Sequence, residues 1–395
     1  MATLLMDNAK NNKNDEFYTQ LSDIEKELKN YREFFKGKTI FCNCDDPFES
    51  NFFKYFALNF NAFGLKKLTT TCYAGSPIIT EQLSLFDVKG LIIKKEDSKH
   101  PYKIEITEVP DYNKDGAVDL SDVEYLLKNK KNTLTLLEGN GDFRSEECIE
   151  ILVNSDIVVT NPPFSLFREY IEQLEKYKKN YIIMGNTNAL TYKEVFKLFK
   201  EDKIRTGYTN FNVGMYFFVP DSFEKFHKIV DGKKMVRVAT SCWFTNLPVK
   251  KHNEKLILYK KYDEDYYPKY VNYDAINVNS YKEIPYDYDK LIGVPITFLD
   301  KYNPEQFRIE ALGIVGSCNF KNERKMEILD KYGNPTGKYT INAKGTLYKK
   351  FNPKYDKIPA FKDCETGELY SSIYARVIIE KIGNEECEED GNKVA

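Results

Sequence analysis

Between residues 21 and 185 short apolar runs alternate with amphipathic stretches, and this alternation limits the fold more tightly than any other feature of the chain. Leu21, Ile24, Leu28, Tyr31 and Phe35 fall at helical spacing with charges between them, and Gly37 closes the pattern. Residues 39–44 read as a buried strand, 50–60 as a helix rich in Phe and Tyr, and 65–73 as a second strand. Three more strands are expected at 134–137, 156–160 and 181–185, separated by helices at 145–153 and 164–177. Strands that alternate with helices predict a parallel, doubly wound α/β sheet. Ligands bind such sheets at the carboxyl ends of the strands, so the residues just past each strand are the first candidates for chemistry. Further on, 215–219 and 236–247 read as an antiparallel pair, and 260–290 are dense in Tyr, Asp and Asn with little periodicity.

Directly behind the apolar run Ile157-Val158-Val159-Thr160 stand Asn161-Pro162-Pro163-Phe164. Their chemistry suits methylation of an amino group on a ring. The exocyclic nitrogen of adenine is a poor nucleophile because its lone pair is delocalised. Two acceptors in fixed geometry, the side-chain oxygen of Asn161 and the carbonyl of Pro162, can each take one N–H and drive the nitrogen toward tetrahedral geometry. Proline suits this, since it fixes φ and donates no N–H of its own, and Pro163 completes the motif. Phe164 can stack on a base turned out of a duplex. The competing reading is a strand end followed by a Pro-Pro stop.

Composition adds exclusions. The 395 residues suffice for two or three domains, and 42% hydrophobic content with 14% aromatic is that of a globular protein. Charged residues make up 30% but balance to −2, so any nucleic-acid contact must come from a local patch. Residues 319–362 supply one: eleven Lys or Arg against four acids, a net of +7, with Tyr332, Tyr339, Tyr348, Phe351 and Tyr355 interleaved. Lys344, Lys349, Lys350 and Lys354 are the DNA-contact candidates within it; a solvated lysine-rich face is the alternative. The first residues lack the apolar core of a signal peptide and no stretch has the length of a membrane span, so a cytoplasmic protein is expected. The acidic tail after Gly383 is expected to be disordered. Cys42-x-Cys44 lacks a second ligand pair, which argues against zinc.

One motif stands apart. Asp111, Asn113, Asp115, Asp119 and Asp122 occupy positions 1, 3, 5, 9 and 12 of a calcium-type loop, with Gly116 at position 6 and the backbone of Ala117 at position 7. The loop resembles those of dockerin-type EF-hands, in which Asp replaces Glu at the last position. A structural Ca²⁺ is expected there, within an insertion at about 100–130; a solvated acidic turn is the other reading.

With Asn161-Pro162-Pro163-Phe164 on a strand of such a sheet, the chain resembles the adenine-specific DNA methyltransferases, most closely the EcoRI methyltransferase family. The resemblance is carried in order by 14–19 (Asn-Asp-Glu-Phe-Tyr-Thr), 45–53 (Asp-Asp-Pro-Phe-Glu-Ser-Asn-Phe-Phe), 243–247 (Trp-Phe-Thr-Asn-Leu) and 293–300 (Gly-Val-Pro-Ile-Thr-Phe-Leu-Asp). It implies a Rossmann-like catalytic domain over 1–258 and a β-rich target-recognition region over 259–395. It also implies S-adenosylmethionine as methyl donor. Phe17, Tyr18 and Thr19 match the segment that contacts the donor's carboxylate, and Asp46, Pro47 and Ser50 match the loop that cradles its methionine end. Asp142 and Phe143 match the acceptor and the apolar cover of its adenine. No ribose-binding acid is evident near residues 73–75. Trp243 or Phe244 is expected to sandwich the target adenine against Phe164, a buried core tryptophan being the alternative.

The expected function is site-specific adenine-N6 methylation of duplex DNA by a monomer that acts on its own or beside a cognate restriction endonuclease. Methylation of RNA adenine or of a protein glutamine would use the same tetrapeptide. An inactive DNA-binding or calcium-dependent interaction protein is the reading outside enzymology.

Overall fold

Thr39–Cys42 is buried at all four positions, as a strand covered on both faces must be, and the larger sheet extends to either side of it. The computed structural model describes residues 18–44, 50–72, 101–129, 134–219 and 223–382. The chain forms two compact units. The first contains the residues up to Val195 together with Ile204–Val249; the second contains Phe196–Lys203 and the residues from Lys250 onward.

The strands of the first unit are β1 (Tyr18–Thr19), β2 (Thr39–Cys42), β3 (Lys67–Thr71), β4 (Tyr102–Ile106), β5 (Leu134–Leu136), β6 (Ile157–Thr160), β7 (Asn180–Asn186), β8 (Arg205–Thr206), β9 (Met215–Phe218), β10 (Lys228–Val230), β11 (Lys233–Val238) and β12 (Ser241–Thr245). Eight of them make one sheet in the order β5-β4-β3-β2-β6-β7-β12-β8. The inner four are parallel, whereas β4 and β12 run antiparallel to β3 and β7. The unit is thus mixed α/β, parallel at its centre and antiparallel toward its edges. The chain passes from β2 outward to β3 and later returns to the other side of β2 at β6, so the strand order reverses between β2 and β6.

The remaining strands form an antiparallel sheet in the order β1-β9-β11-β10. Here the expected pairing of 215–219 with 236–247 divides. β9 pairs with β11, while β12 leaves for the larger sheet, where Trp243 lies opposite Met184 of β7.

Helices between the strands follow their apolar spacing. Phe167–Lys176 buries Phe167, Tyr170, Ile171 and Leu174, the i, i+3, i+4, i+7 stripe of a helix lying on a sheet. Asn51–Leu58 begins at Ser50, whose hydroxyl accepts the N–H groups of Phe52 and Phe53 at 3.2 and 3.4 Å. It buries Phe52, Phe53, Tyr55 and Phe56, each such ring contributing roughly 1.5–3 kcal/mol relative to exposure.

The second unit is β-rich: β13 (Ile276–Asn277), β14 (Ile292–Pro295), β15 (Phe307–Leu312), β16 (Met326–Leu329), β17 (Pro335–Thr340), β18 (Leu347–Lys350), β19 (Phe361–Asp363), β20 (Leu369–Ile373) and β21 (Arg376–Lys381). They form one sheet in the order β13-β14-β21-β15 and another in the order β17-β16-β19-β20-β18. Met326, Tyr348, Phe361 and Tyr370 pack the core of the latter. No described helix is long and apolar enough to cross a membrane.

Candidate active site at the carboxyl ends of the central strands

Because β2 and β6 are parallel neighbours, the residues that follow them, Asn43 and Asn161, leave the sheet side by side. Three hydroxyls fasten this edge. Thr160 Oγ1 donates to the Asn43 carbonyl, Tyr170 Oη donates to Asn43 Oδ1, and Thr70 Oγ1 donates to the Cys42 carbonyl at 2.7 Å. Asn161 and Pro162 are buried and Pro163 and Phe164 half-buried. Pro163 is extended at φ −54° and ψ 122°, and its carbonyl accepts Leu166 N–H at 3.0 Å, which closes one 3₁₀ turn, Phe164–Leu166. The tetrapeptide is therefore a rigid corner where the strand order reverses, the place at which open α/β sheets bind ligands.

Phe164 meets Phe217 of β9 edge to face, with ring centroids 6.5 Å apart and planes at 87°. β9 in turn pairs with β1, Thr19 opposite Phe217 and Tyr18 opposite Phe218. Asn51 Nδ2 donates to the Thr19 carbonyl at 2.7 Å, which holds β1 at the amino end of helix Asn51–Leu58. Thr19 Oγ1 is buried without a hydrogen-bond partner among the described residues. An orphan hydroxyl beside a helix amino terminus suits a carboxylate, so Thr19 fits one end of an amino-acid-bearing cofactor. Ser50 serves that helix differently: its hydroxyl is already occupied as the cap. Phe17, Asp46, Pro47 and the segment 73–75 lie outside the described residues, as does the acidic tail after Gly383.

Gly141 brings the next two candidates to the same edge. At φ +72°, a Cβ there would stand 2.0 Å from the Cys72 carbonyl, so only glycine lets this turn press against the end of β3. Asp142 Oδ1 accepts the backbone N–H and Nε of Arg144, both at 2.9 Å, and its Oδ2 accepts a guanidinium N–H at 2.7 Å. Arg144 holds the Asp142 carboxyl below the usual carboxylate range. Arg144 also pairs with Glu169 at 2.7 Å. Phe143 is buried edge-on against Tyr170, centroids 5.0 Å apart, and so adjoins the hydroxyl that fixes Asn43.

One expectation is corrected. Trp243 and Phe244 are both fully buried, because β12 is an interior strand buried at every position rather than a surface hairpin. Trp243 packs edge to face on Phe52 and Phe244 against Phe167, so neither ring offers a face to a base. Phe217 is an aromatic ring beside Phe164. Sequence reasoning also missed Asn43 and Tyr170. Asn43 shows as a polar residue breaking the end of an apolar run; Tyr170 gives no such signal, being one more ring in a helical stripe.

The expectation of calcium at the calcium-type loop finds no support. Asp111 accepts the N–H groups of Lys114 and Gly116 at 2.6 and 2.9 Å, Asn113 that of Asp115, Asp115 that of Ala117, and Asp119 that of Ser121. Asp122 is buried, with its oxygens on Tyr112 N–H and Asp119 N–H at 2.8 and 3.0 Å. The side-chain oxygens accept the loop's own backbone N–H groups, and among the described residues no group of three or more His, Cys, Asp and Glu side chains could hold a metal ion.

In the second unit the lysine candidates separate. Lys349 is buried and paired with Asp356 at 2.6 and 2.7 Å, because the first three residues of β18 face protein on both sides. It is not available to DNA. Lys350 is exposed and pairs with Glu368 at 2.7 Å; Lys344 is exposed on a turn, and Lys354 is exposed above the ring of Tyr355. With Arg324 on Asp363 as well, the patch is weaker than the residue count suggests.

The family model described as "Adenine-specific methyltransferase EcoRI" matches residues 5–381. The chain is 43% identical over 342 residues to the Type II methyltransferase M.EcoRI of Escherichia coli, covering 81% of this chain and 97% of that protein. It is 37% identical over 309 residues both to M.MgeORF184P of Mycoplasma genitalium and to M.MpnI of Mycoplasma pneumoniae, covering 76% of this chain and 84% and 83% of theirs. No solved structure gives a significant match. With the motif corner in place and the match running nearly end to end, the chain belongs to the adenine-specific EcoRI methyltransferase family.

Proposed function

We propose that Asn161 Oδ1 and the Pro162 carbonyl accept the two amino protons of a target adenine while Phe164 stacks on its ring. The enzyme is an adenine-specific DNA methyltransferase. S-adenosylmethionine, the donor the family uses, supplies an electrophilic methyl group on sulfonium. The chain's contribution is to hold the adenine amino group between fixed acceptors as positive charge develops on nitrogen. The observation that carries this reading is the rigid corner Asn161–Phe164 beside Asn43, where the strand order reverses. Thr19, with Tyr18 beside it, is proposed for the cofactor's carboxylate, and Asp142 and Phe143 for its adenine. Asp142 keeps acceptor capacity beyond its bonds to Arg144. Phe17, Asp46 and Pro47 complete the proposed cofactor set.

The proposal extends to a Rossmann-like plan for the first unit and target recognition by the second, with Lys344, Lys350 and Lys354 on the duplex backbone. It further includes a cytoplasmic monomer within a restriction-modification system, beside a cognate endonuclease. The test is methylation of plasmid DNA by the purified protein with labelled S-adenosylmethionine, followed by sequencing for modified adenines. Methyl groups on adenine N6 at one recurring sequence support the reading; label found only in RNA or protein refutes it.

A further inference from the structure

Glu27 is wholly buried in helix Leu21–Leu28; burial pushes its carboxyl above the usual range, and the groups among the described residues that oppose this are neutral donors. Oε1 accepts the hydroxyl of Tyr31 at 2.8 Å and Tyr208 N–H at 2.7 Å. Oε2 accepts Thr209 N–H at 2.7 Å and the Thr209 hydroxyl at 2.6 Å. With no cation paired to it among the described residues, such a group is expensive to hold charged. Here it ties the helix to the segment that follows β8. Gly207 makes the tie possible, since a Cβ at that position would stand 2.3 Å from Oε1 and 2.5 Å from Trp243 Cβ.

The segment 207–214 is held at its far end too. Arg237 donates to the Val213 carbonyl at 2.9 Å, and Gly214 turns at φ +84° against Ala239. Between the clamps Asn210 and Asn212 adopt φ +61° and +58°, and Val213 is 65% exposed. The chain then enters β9 directly, and the third residue of that strand, Phe217, is the ring against Phe164.

We infer that Glu27 is a positioning residue for methyl transfer: by fixing 207–214 at a buried carboxylate it sets β9, and through Phe217 the ring of Phe164 on which the target adenine stacks. This rests on the proposed role of Phe164. Thr19 lies opposite Phe217 but is also held by Asn51 at the amino end of helix Asn51–Leu58, so loss of the clamp acts more on base stacking and rate than on cofactor affinity.

Glu27→Gln tests this with almost no change of volume, because an amide nitrogen placed on Thr209 faces two donors with a third. The mapped target adenine is replaced by 2-aminopurine in a duplex, whose fluorescence rises on extrusion, and single-turnover rate, S-adenosylmethionine affinity and melting temperature are measured alongside. Glu27→Gln is expected to slow single-turnover methylation by about tenfold to a hundredfold, as for loss of a hydrogen bond to a charged group. It should also alter the 2-aminopurine signal, with cofactor affinity within about twofold. Thr209→Val, which removes one donor, and Phe217→Leu, which removes the ring, should shift rate and fluorescence in the same direction, and they decide the matter if Glu27→Gln does not fold. Parental rate and fluorescence in the folded variants, with only the melting temperature lowered, would reduce Glu27 to a structural role and overturn the inference. Asn161→Ala serves as the control: if it keeps the parental rate, the reading of the corner itself fails, whereas a dead Asn161→Ala beside normal clamp variants removes Glu27 alone.

Discussion

Residues 157–164 and 111–122 both carry polar side chains at a spacing that announces a ligand, yet the structure uses them in opposite ways. At the first, a buried strand ends against its parallel neighbour, and hydroxyls from Thr160 and Tyr170 fix the adjoining Asn43. The fold supplies the rigidity, and Asn161 sits at a corner that neighbouring strands define. At the second, a mostly exposed loop must satisfy its own backbone, and Asp111, Asn113, Asp115, Asp119 and Asp122 turn onto N–H groups within it. Spacing tells which side chains can meet. Whether they face a ligand or their own chain is decided by the elements packed behind them.

The largest expected effect lies at the corner. Asn161→Ala removes one acceptor of the adenine amino group and should lower single-turnover methylation by about 100- to 1,000-fold, some ~2.7–4 kcal/mol, as for loss of an oxyanion-hole donor. Cofactor affinity should stay within a few-fold by calorimetry. Near-parental turnover would erase the contrast by making the corner as dispensable as the loop.

How far each region could be read in advance follows the same division. The parallel centre of the sheet was legible because β2, β6 and β7 are short apolar runs ending in Asn43, Asn161 and Asn186, where polarity returns abruptly. β4 was not, because Tyr102–Ile106 alternates buried and half-buried residues and lies in a stretch rich in charge. Trp243 and Phe244 were misplaced because a run of apolar and aromatic residues does not tell an interior strand from an aromatic hairpin. Glu27 gave only a partial sign: three residues after Ile24 and four before Tyr31, it falls at the edge of the helix's apolar face, but only the approach of Gly207 across 180 residues makes it a clamp.

The two adjacent lysines of β18 repeat the contrast within the basic segment. Lys349→Met leaves Asp356 without its cation and should destabilise the protein by about 2–3 kcal/mol in denaturant titration, somewhat under the range for a fully buried pair because Asp356 keeps some access to water. Lys350→Met should change stability by less than about 0.5 kcal/mol. The pH dependence has a definite sign. Burial pushes the Asp356 carboxyl up, but Lys349, the Asn352 N–H and the Ser371 hydroxyl outweigh it and hold it below the usual range. The unfolded chain takes up that proton first, near a pKa of about 3.9, so the pair's contribution is complete above that pH and is lost as pH falls through the lower folded value. The gap between parent and Lys349→Met should therefore close in acid; a gap that widened would mean that Asp356 is not the partner that matters.

Asp142 lies between the two extremes, on the active edge yet engaged by a neighbour. Asp142→Ala should weaken S-adenosylmethionine binding by about 1.5–2 kcal/mol, the lower part of the range for a hydrogen bond to a charged group, because Arg144 already draws on both carboxylate oxygens. Saturating cofactor should restore most of the rate. Unchanged affinity by calorimetry would assign Asp142 to the Arg144–Glu169 network alone.

The smallest effect is expected from calcium. A loop of this class with a dissociation constant of about 0.1 mM would gain roughly 1.4 kcal/mol of folding stability at about 1 mM Ca²⁺, from RT ln(1 + [L]/Kd). To reach that, Asp122 would have to meet the ion from a buried position where its oxygens already hold Tyr112 N–H and Asp119 N–H, and Asp111 would have to share oxygens already on Lys114 and Gly116. The arrangement therefore predicts a gain below about 0.3 kcal/mol on adding about 1 mM Ca²⁺ after chelation, read as a barely shifted melting curve. Asp111→Ala should still destabilise the loop by about 1 kcal/mol in chelator, since two backbone N–H groups lose their acceptor. A melting curve that moved by the larger amount in the parent, and did not move in Asp111→Ala, would show that the carboxylates leave the backbone for the ion, and the loop would then join the corner as a ligand site formed on binding rather than held open by the fold.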